Sequence, residues 1–327
     1  MTRPIRRRLA GLCLFIWLAW TDTAMAQAEP NCPPVAGAPS PDAMAAAART
    51  ASDRGPLWRI ERDGRSSWLY GTIHVGRLAW AFPGPTVSAA LRRARVLAVE
   101  LDLTSPEVQQ QIANASAQLQ AAQGPLGLPA PLAQRLARQI ALACLDAAQM
   151  ASQPPVIQAV TLMLLSARRD ALDPAYAQEF VLAGYMHSAG KPVVSLETAA
   201  AQMAALAGGT LQDQLTLVEQ SLDQLDSGQG RAVLHRLALA WEQADLAALA
   251  SYEDWCDCAR DEAERAFSKR LNDDRNPGLA DAIARLHDSG QSVFAAVGAL
   301  HMTGPQALPA LLQARGFKVE AVRWARP

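Results

Sequence analysis

The chain has 327 residues, of which half are hydrophobic and 19% are charged, and its mean hydropathy is near zero. This composition predicts a soluble globular protein with a sizeable core and excludes a largely disordered chain. The 30 basic and 31 acidic residues leave no basic field that would attract a phosphate backbone, so we do not expect nucleic acid as a partner.

The amino terminus has the order of a secretory signal. Four arginines among the first eight residues precede an apolar run, Leu9–Trp20, and Ala24-Met25-Ala26 follows it. This pattern predicts a cleavable signal peptide over residues 1–26. A membrane anchor is the alternative, but the run is shorter than the ~20 residues of a bilayer span, and Thr21 and Asp22 close it. We therefore expect a periplasmic or secreted protein that meets the membrane only through its uncleaved signal segment.

Four cysteines would remain in the exported chain: Cys32, Cys144, Cys256 and Cys258. In an oxidising compartment an even number predicts one or two disulfides, and three connectivities are possible. Cys256 and Cys258 also form a Cys-x-Cys pair that is open to a metal interpretation. No histidine lies near them at ligand spacing, so a disulfide is favoured.

Residues 27–55 are rich in proline and alanine and have no sustained period, which predicts a flexible leader with Cys32 as a possible tether. We expect the folded domain to span residues 56–327. Within it, Trp58–Ile60 and Ser67–Thr72 flank the turn signal Asp63-Gly64, and this arrangement predicts a β-hairpin.

A strand–helix–strand order follows the hairpin. Pro83-Gly84-Pro85 opens a predicted helix that runs to Ala94, and Val96–Val99 has the apolar run of a strand that is buried on both faces. Together with the second hairpin strand these elements form a βαβ unit. Residues 105–171 have helical patterns, with Leu132, Leu136 and Ile140 on one face.

The second half of the chain repeats this plan. A short strand is predicted within Lys191–Leu196, and a helical block follows that carries the apolar stripe Leu211, Leu215, Val218 and Leu222. A second βαβ unit is then predicted from a helix over residues 277–290, a strand over 293–297, a helix over 305–314 and a strand over 318–322. The predicted fold is α/β, with two βαβ-containing halves that share a central sheet and with helical insertions between them.

Two Gly-x-x-His motifs end equivalent strands, at Gly71–His74 and at Gly298–His301. Chance alone gives about 0.3 such matches for this composition, so the pair indicates a shared function. Glycine lets the chain turn sharply after a strand, and the histidine then lies beyond the carboxyl end of that strand. In open α/β sheets this edge is where ligands bind.

Two carboxylates are predicted at the same edge, Glu100 after the Val96–Val99 strand and Glu197 after the following strand. Two neutral imidazoles and one carboxylate leave open positions on a divalent ion, and the spare carboxylate can act as a general base. His74 and His301 are thus candidate ligands with Glu100, and Asp102 is an alternative to Glu100 in an extended chain.

Each candidate also has a structural interpretation. Either histidine can be a hydrogen-bonded residue packed in a loop, Glu100 can belong to a helix cap or an ion pair, and Glu197 can simply begin the next helix. The other histidines, His187, His235 and His287, lie within helical patterns and are predicted to be surface or core residues; the helix dipole explains His287.

The motifs resemble those of the TraB/GumN family, which is related to the Tiki metalloproteases. The matching stretches lie between residues 57 and 323 and are Tyr70–Gly76, Val99–Asp102, Pro192–Thr198 with Gln202, Arg275-Asn276 and Val297–Gly304. The resemblance implies a two-halved α/β fold, metal ligation by His74, Glu100 and His301, and hydrolysis. It also assigns Arg275 to a family arginine that can clamp a carboxylate or an oxyanion.

These observations lead to two hypotheses, and a family name alone suggests a third, a structural or assembly factor in the export of envelope polysaccharide. The first is an exported metal-dependent hydrolase, a metalloprotease or peptidase-like enzyme that acts on a peptide or protein. It would hold manganese, cobalt or zinc on His74, Glu100 and His301 and use Glu100, Glu197 and Arg275 in catalysis. The alternative is a non-catalytic periplasmic protein that binds a peptide or signal in the same cleft.

Overall fold

The structure is a computed structural model that describes residues 32–123 and 127–324. The predicted signal peptide, residues 1–26, lies outside the described residues. Within the described ranges no helix is both long and apolar enough to cross a membrane.

A six-stranded sheet forms the centre of the fold. Its strands are β1 Leu57–Arg62, β2 Arg65–Thr72, β3 Val96–Val99, β4 Val193–Ser195, β5 Val293–Gly298 and β6 Lys318–Val322. They lie in the order β4-β3-β5-β2-β1-β6. Strands β4, β3, β5 and β2 run parallel to one another, whereas β1 is antiparallel to both β2 and β6. The carboxyl ends of four neighbouring strands therefore meet at one edge of the sheet.

The predicted hairpin and the α/β fold are confirmed. Asp63 and Gly64 connect β1 to β2, and both have positive φ, at 51° and 70°. A two-residue turn with this geometry matches the twist of the flanking strands. The two halves interleave, because β5 from the second half lies between β2 and β3 of the first.

Helices make up most of the remaining described residues. They are α1 Pro41–Arg49, α2 Pro85–Arg93, α3 Pro106–Gln123, α4 Ala130–Leu142, α5 Ala147–Ala151, α6 Pro155–Ser166, α7 Gln178–Ser188, α8 Ala199–Ala207, α9 Leu211–Ser227, α10 Gln229–Glu242, α11 Leu246–Ala250, α12 Tyr252–Trp255, α13 Glu262–Leu271, α14 Asn276–Asp288 and α15 Leu308–Ala314. As predicted, helical insertions separate the strands: α3–α7 lie between β3 and β4, and α8–α14 lie between β4 and β5.

Alternation along the strands divides the core between the two faces of the sheet. In β3, Leu97 and Val99 belong to a cluster that includes side chains of α2, α7 and α10. Val96 and Ala98 belong to the cluster on α14 and α15. All four residues are buried, as expected for a strand that is covered on both faces. The helical insertions have a further core of their own around Leu136 and Leu222.

Where the sequence predicts a flexible leader, the structure has a helix and side-chain contacts over residues 32–55. Ser40 caps α1 by accepting from the backbone N–H of Ala43 over 3.2 Å. Asp53 accepts from the backbone N–H groups of Thr86 and Val87 in the first turn of α2. Because alanine favours helices, an alanine-rich segment can form a helix that has no apolar stripe. The hydrophobic periodicity of the sequence therefore does not predict α1.

Two disulfides resolve the three connectivities that the sequence leaves open. Cys32 is bonded to Cys144, at the end of α4, and Cys256 is bonded to Cys258. The first bridge ties the segment before α1 to the helical insertion. The second closes the Cys-x-Cys pair on itself, as the disulfide interpretation of that pair predicts.

Candidate functional site

The structure gathers the four predicted strand-end residues at one edge of the sheet. His74 lies two residues beyond β2, Glu100 directly follows β3, Glu197 lies two residues beyond β4, and His301 lies in a short 3-10 helix after β5. Because the four strands are parallel neighbours, these positions are close in space. The register pairs Gly71 with Val297, so the two Gly-x-x-His motifs lie side by side with an offset of one residue.

The two motif glycines do not form the sharp turns that the motif predicts. Neither has a positive φ, and that of Gly298 is −46°. A Cβ at Gly71 would lie 2.7 Å from Cγ of Pro56, so this glycine permits close packing. A Cβ at Gly298 would lie 3.2 Å from Oε1 of Glu100, 3.5 Å from Cδ2 of His301 and 3.9 Å from Nε2 of His74. Gly298 therefore leaves a small space on which the three predicted metal ligands converge.

Glu100 is buried at the centre of this site. Its Oε1 accepts from the backbone N–H of Gly298 over 2.8 Å, and its Oε2 contacts Nη2 of Arg275. Burial raises the pKa of Glu100, but His301, Arg275, His74 and the Gly298 N–H together outweigh burial and hold that pKa below its usual range. Glu100 is therefore an anionic acceptor at neutral pH.

Arg275 joins both carboxylates to His301. Its Nη2 contacts both Glu100 and Glu197, its Nε lies 3.2 Å from Oε2 of Glu197, and its Nη1 lies 3.3 Å from Nε2 of His301. Burial lowers the pKa of Arg275, but the attraction of Glu100 and Glu197 outweighs burial and holds that pKa above its ordinary value. The arginine is a permanent buried cation, and the carboxylates that it contacts are those of Glu100 and Glu197.

His301 is held in one orientation by an amide. Its Nδ1 lies 2.5 Å from Oδ1 of Asn276, an oxygen that can only accept, so we assign the proton to Nδ1 and a lone pair to Nε2. Burial lowers the pKa of His301 to about 4. The ring is therefore neutral at physiological pH, as a metal ligand must be.

His74 is held by a carboxylate instead. Its Nδ1 lies 3.2 Å from Oε1 of Glu179, and 58% of its side-chain surface is exposed. Glu179 raises the pKa of His74, to about 9. Because His74 is more than half exposed, solvent partly screens its attraction to Glu179. Without a metal His74 is a cation, and an ion would have to displace its proton.

Glu197 lies behind Arg275. Its two carboxylate oxygens face the guanidinium, and Nε2 of Gln202 donates to Oε1 over 3.1 Å. Burial raises the pKa of Glu197 against the opposing effect of Arg275. A raised pKa suits the general base that the sequence predicts. The contacts, however, give Glu197 a further task, which is to hold the arginine.

The other candidates from the sequence have structural roles. Asp102 accepts from the backbone N–H of Thr104 over 3.1 Å and from its hydroxyl, so its carboxylate closes a local turn. His187 contacts the same hydroxyl through Nε2 at 3.0 Å. His287 is fully buried, and its ring contacts the hydroxyl of Ser67 and the carbonyl of Arg62. It is therefore a core histidine, and these hydrogen bonds hold it in addition to the helix dipole.

Two side chains of the site carried no functional prediction from the sequence. Glu179 lies in the first turn of α7, distant from any strand end, and an acidic residue there is equally typical of an ordinary helix start. Asn276 precedes Pro277 and has the pattern of a helix beginning, and the only signal for it was its place in the resemblance to a family.

The site opens into a cavity of about 650 Å³. At one end lie His74, Glu100, Glu179, Arg275 and His301. The remaining lining is mostly apolar and comes from the helical insertions and the strand-end loops. Its larger apolar side chains are Ile73, Leu101, Leu103, Val160, Leu164, Phe180, Leu206, Leu237, Trp241, Phe267, Leu271 and Leu300. A cavity of this size holds a drug-sized ligand or a few side chains of a peptide.

The donor chemistry of the site fits a divalent ion. One carboxylate and two imidazoles are a common catalytic zinc set. Nδ1 of His74 contacts Glu179 and Nδ1 of His301 contacts Asn276, so Nε2 is the candidate ligand atom of each ring. As the side chains stand, no group of three or more His, Cys, Asp and Glu residues in residues 32–123 and 127–324 is gathered closely enough to hold an ion. Arg275 bridges Glu100 and His301 instead, so the guanidinium occupies contacts that an ion on these two residues would use.

Comparison with known proteins places the chain in a family. Residues 56–321 match the sequence model of the TraB/PrgY/gumN family. No curated protein and no solved structure matches the chain significantly. The match covers the whole sheet except the last residue of β6, and it includes every residue of the site.

Proposed function

The chain belongs to the TraB/PrgY/gumN family, and from this premise and the geometry of the site we propose that it is a metal-dependent hydrolase of peptide or amide bonds. The observation that carries the proposal is the convergence of Glu100, His301 and His74 on the space beside Gly298. A glycine with ordinary backbone angles has no conformational reason to be there, so the space itself is the functional feature.

We assign metal ligation to His74, Glu100 and His301, with manganese, cobalt or zinc as the candidate ions. Such an ion would polarise a carbonyl oxygen and provide nucleophilic water at neutral pH. Glu100 supplies the negative charge of the ligand set, and Asn276 keeps Nε2 of His301 free of a proton.

The remaining polar residues act on the substrate or on one another. Arg275 carries a permanent positive charge at the wall of the cavity, where a tetrahedral oxyanion would be stabilised. Glu197 holds Arg275 in place through both carboxylate oxygens, and the proton-acceptor role that the sequence suggests for Glu197 stays a prediction. The apolar walls would bind hydrophobic side chains of the substrate next to the cleaved bond.

A second candidate function, a non-catalytic peptide- or signal-binding protein, is favoured by one observation. Arg275 bridges Glu100 and His301, so the polar end of the cavity is already neutralised without an ion. In that state the apolar walls of the cavity suit an apolar peptide. Tight peptide capture without turnover, with or without added metal, would identify this function.

We also propose that the protein is exported. The order of basic, apolar and small residues over 1–26 supports a cleaved signal, and two disulfides support an oxidising compartment. Amino-terminal sequencing of the protein from a periplasmic fraction tests this, and a chain that keeps its first residues in the cytoplasm contradicts it.

A peptide library incubated with the purified mature protein tests hydrolysis. The protein is stripped with a chelator and reloaded separately with manganese, cobalt and zinc, and products are identified by mass spectrometry. We expect cleavage that requires an ion and is lost in the double variant His74→Ala/His301→Ala. The matched control is His187→Ala, because His187 contacts the hydroxyl of Thr104 and does not line the cavity. Equal cleavage by the double variant, or no ion retained by the wild type, would refute the proposal.

A further inference from the structure

Glu179 has a contact pattern that packing alone does not explain. Its side chain is only 10% exposed, and its Oε1 is shared between Nδ1 of His74 at 3.2 Å and the hydroxyl of Thr72 at 2.5 Å. Its Oε2 is buried and has no hydrogen-bond partner among the described residues. A buried carboxylate oxygen without a partner costs free energy, so a neutral or apolar residue would be the more stable choice at this position.

The backbone around this pair is unusually well fixed. The N–H of Gln178 donates to the carbonyl of Ile73 over 3.0 Å, and two further backbone hydrogen bonds join Gly76 and Asp173. A Cβ at Gly76 would lie 2.4 Å from the carbonyl oxygen of Tyr176, which shows how closely the two segments approach. The loop that carries His74 and the loop that opens α7 therefore form one rigid unit.

From these contacts we propose that Glu179 is a positioning residue for His74. Its carboxylate accepts the Nδ1–H of the ring, which directs Nε2 towards the space beside Gly298. Thr72 holds the same carboxylate oxygen from the end of β2, so the strand, the ring and α7 are linked through one atom. The inference rests on the proposed function in that Nε2 is assigned to an ion.

The two histidines are thereby held in different ways. His301 donates to the neutral amide of Asn276, whereas His74 donates to a carboxylate. A charged acceptor makes the stronger hydrogen bond and a more electron-rich imidazole, and changes in such outer partners typically lower metal affinity about 10- to 100-fold. The exposed ring, which has fewer packing contacts, is thus the one with the stronger partner.

The test compares Glu179→Ala and Glu179→Gln in the full mature protein by equilibrium dialysis against Co²⁺. We expect Glu179→Ala to weaken binding about 10- to 100-fold. The glutamine variant, which keeps an acceptor oxygen, should recover part of the affinity. Glu264→Gln is the matched control, because Glu264 is also a buried carboxylate in the first turn of a helix and pairs with Arg260 away from the cavity.

A second measurement separates this inference from the proposed function. In the metal-free protein, the Nδ1–H proton of His74 should give a slowly exchanging NMR signal, which is identified by its loss in His74→Gln. The signal should disappear in Glu179→Ala and persist in Glu264→Gln. If the wild type binds no Co²⁺, the proposed function fails while the NMR signal still tests Glu179. Wild-type affinity in Glu179→Ala, or an unchanged His74 signal, overturns the positioning role.

Discussion

The backbone N–H of Gly298 donates to Oε1 of Glu100 over 2.8 Å, while the missing side chain of the same glycine leaves the space that this carboxylate faces. One residue thus fixes a predicted ligand and makes room for what the ligand would bind. Strand β5 ends at this glycine, so the position is set by the sheet and not by a loop.

We predict that Gly298→Ala removes ion binding and leaves the fold intact. The new Cβ would lie 3.2 Å from Oε1 of Glu100 and 3.9 Å from Nε2 of His74, in the space between the ligands. At φ −46° and ψ 137° alanine is not strained, so the free energy of unfolding should change by less than about 1 kcal/mol. Calorimetric titration with Co²⁺ should show at least a tenfold loss of affinity.

Gly278→Ala is the control for this substitution. A Cβ at Gly278 would meet no atom within 4 Å, and the residue lies inside α14. Alanine there should raise the free energy of unfolding by up to about 1 kcal/mol and keep wild-type affinity. Equal affinity of Gly298→Ala and the wild type would show that the space beside Gly298 is not the ion site.

Arg275→Met should have opposite effects on stability and on ion binding. The substitution leaves Glu100 and Glu197 as buried carboxylates without their cation, which should lower the free energy of unfolding of the metal-free protein by about 3 to 5 kcal/mol. It also frees Nε2 of His301 and removes a nearby positive charge, so Co²⁺ affinity should rise. Chemical denaturation with and without Co²⁺ measures both effects, and added ion should restore part of the lost stability.

The control for Arg275→Met is Arg138→Met on α4. Arg138 pairs with Asp226 at 2.7 Å, but 59% of its side chain is exposed, so its loss should cost no more than about 1 kcal/mol. A fall in Co²⁺ affinity in Arg275→Met would contradict the competition between the guanidinium and an ion.

The site was predictable from the sequence to the extent that it follows from strand ends. Glu100 and His301 come directly after apolar runs that must be buried, and the carboxyl ends of parallel strands meet at one edge. The order of the strands was not predictable, because chain order does not determine that β5 lies between β2 and β3. This insertion is what brings Gly298 beside both His74 and Glu100.

The partners of the ligands could not be predicted for a different reason. Glu179 and Asn276 reach the site from the first turns of helices, where acidic residues and asparagine are common for reasons of capping alone. Their contacts depend on how α7 and α14 pack on the sheet, which no local pattern specifies. Likewise, the reason for each motif glycine depends on neighbours that are distant in sequence, Pro56 for Gly71 and Glu100 for Gly298.

The buried ring of His301 should make the metal-free protein less stable in mild acid. Its pKa is about 4 in the fold and about 6.5 in the unfolded chain, so the unfolded state binds the proton first as the pH falls. Stability is therefore full above about pH 6.5 and declines towards pH 4. Between pH 6.5 and 4.5 we expect a loss of about 2 to 3 kcal/mol.

His301→Gln should remove this acid slope when unfolding is measured in denaturant at several pH values with a chelator present. His74→Gln is the comparison, because Glu179 raises the pKa of His74 and the sign is reversed. The stability that His74 contributes is present below about pH 6.5 and is lost as the pH rises towards 9, so His74→Gln should keep the acid slope and flatten the alkaline one. An acid slope that survives in His301→Gln would assign it to other groups.

The disulfides should differ in their contributions to stability because they close loops of different length. Cys32 and Cys144 are 112 residues apart, whereas Cys256 and Cys258 are two residues apart. Loop-closure entropy predicts a contribution of about 5 kcal/mol for the long loop and about 1.5 kcal/mol for the short one. Thermal unfolding of Cys32→Ser/Cys144→Ser and of Cys256→Ser/Cys258→Ser measures the two contributions.

The Cys32→Ser/Cys144→Ser variant should also release the segment before α1 to limited proteolysis, since Cys32 anchors it to the end of α4. A larger loss of stability in the second variant would mean that the short bridge supports the fold through contacts of its own and not through the entropy of the unfolded chain.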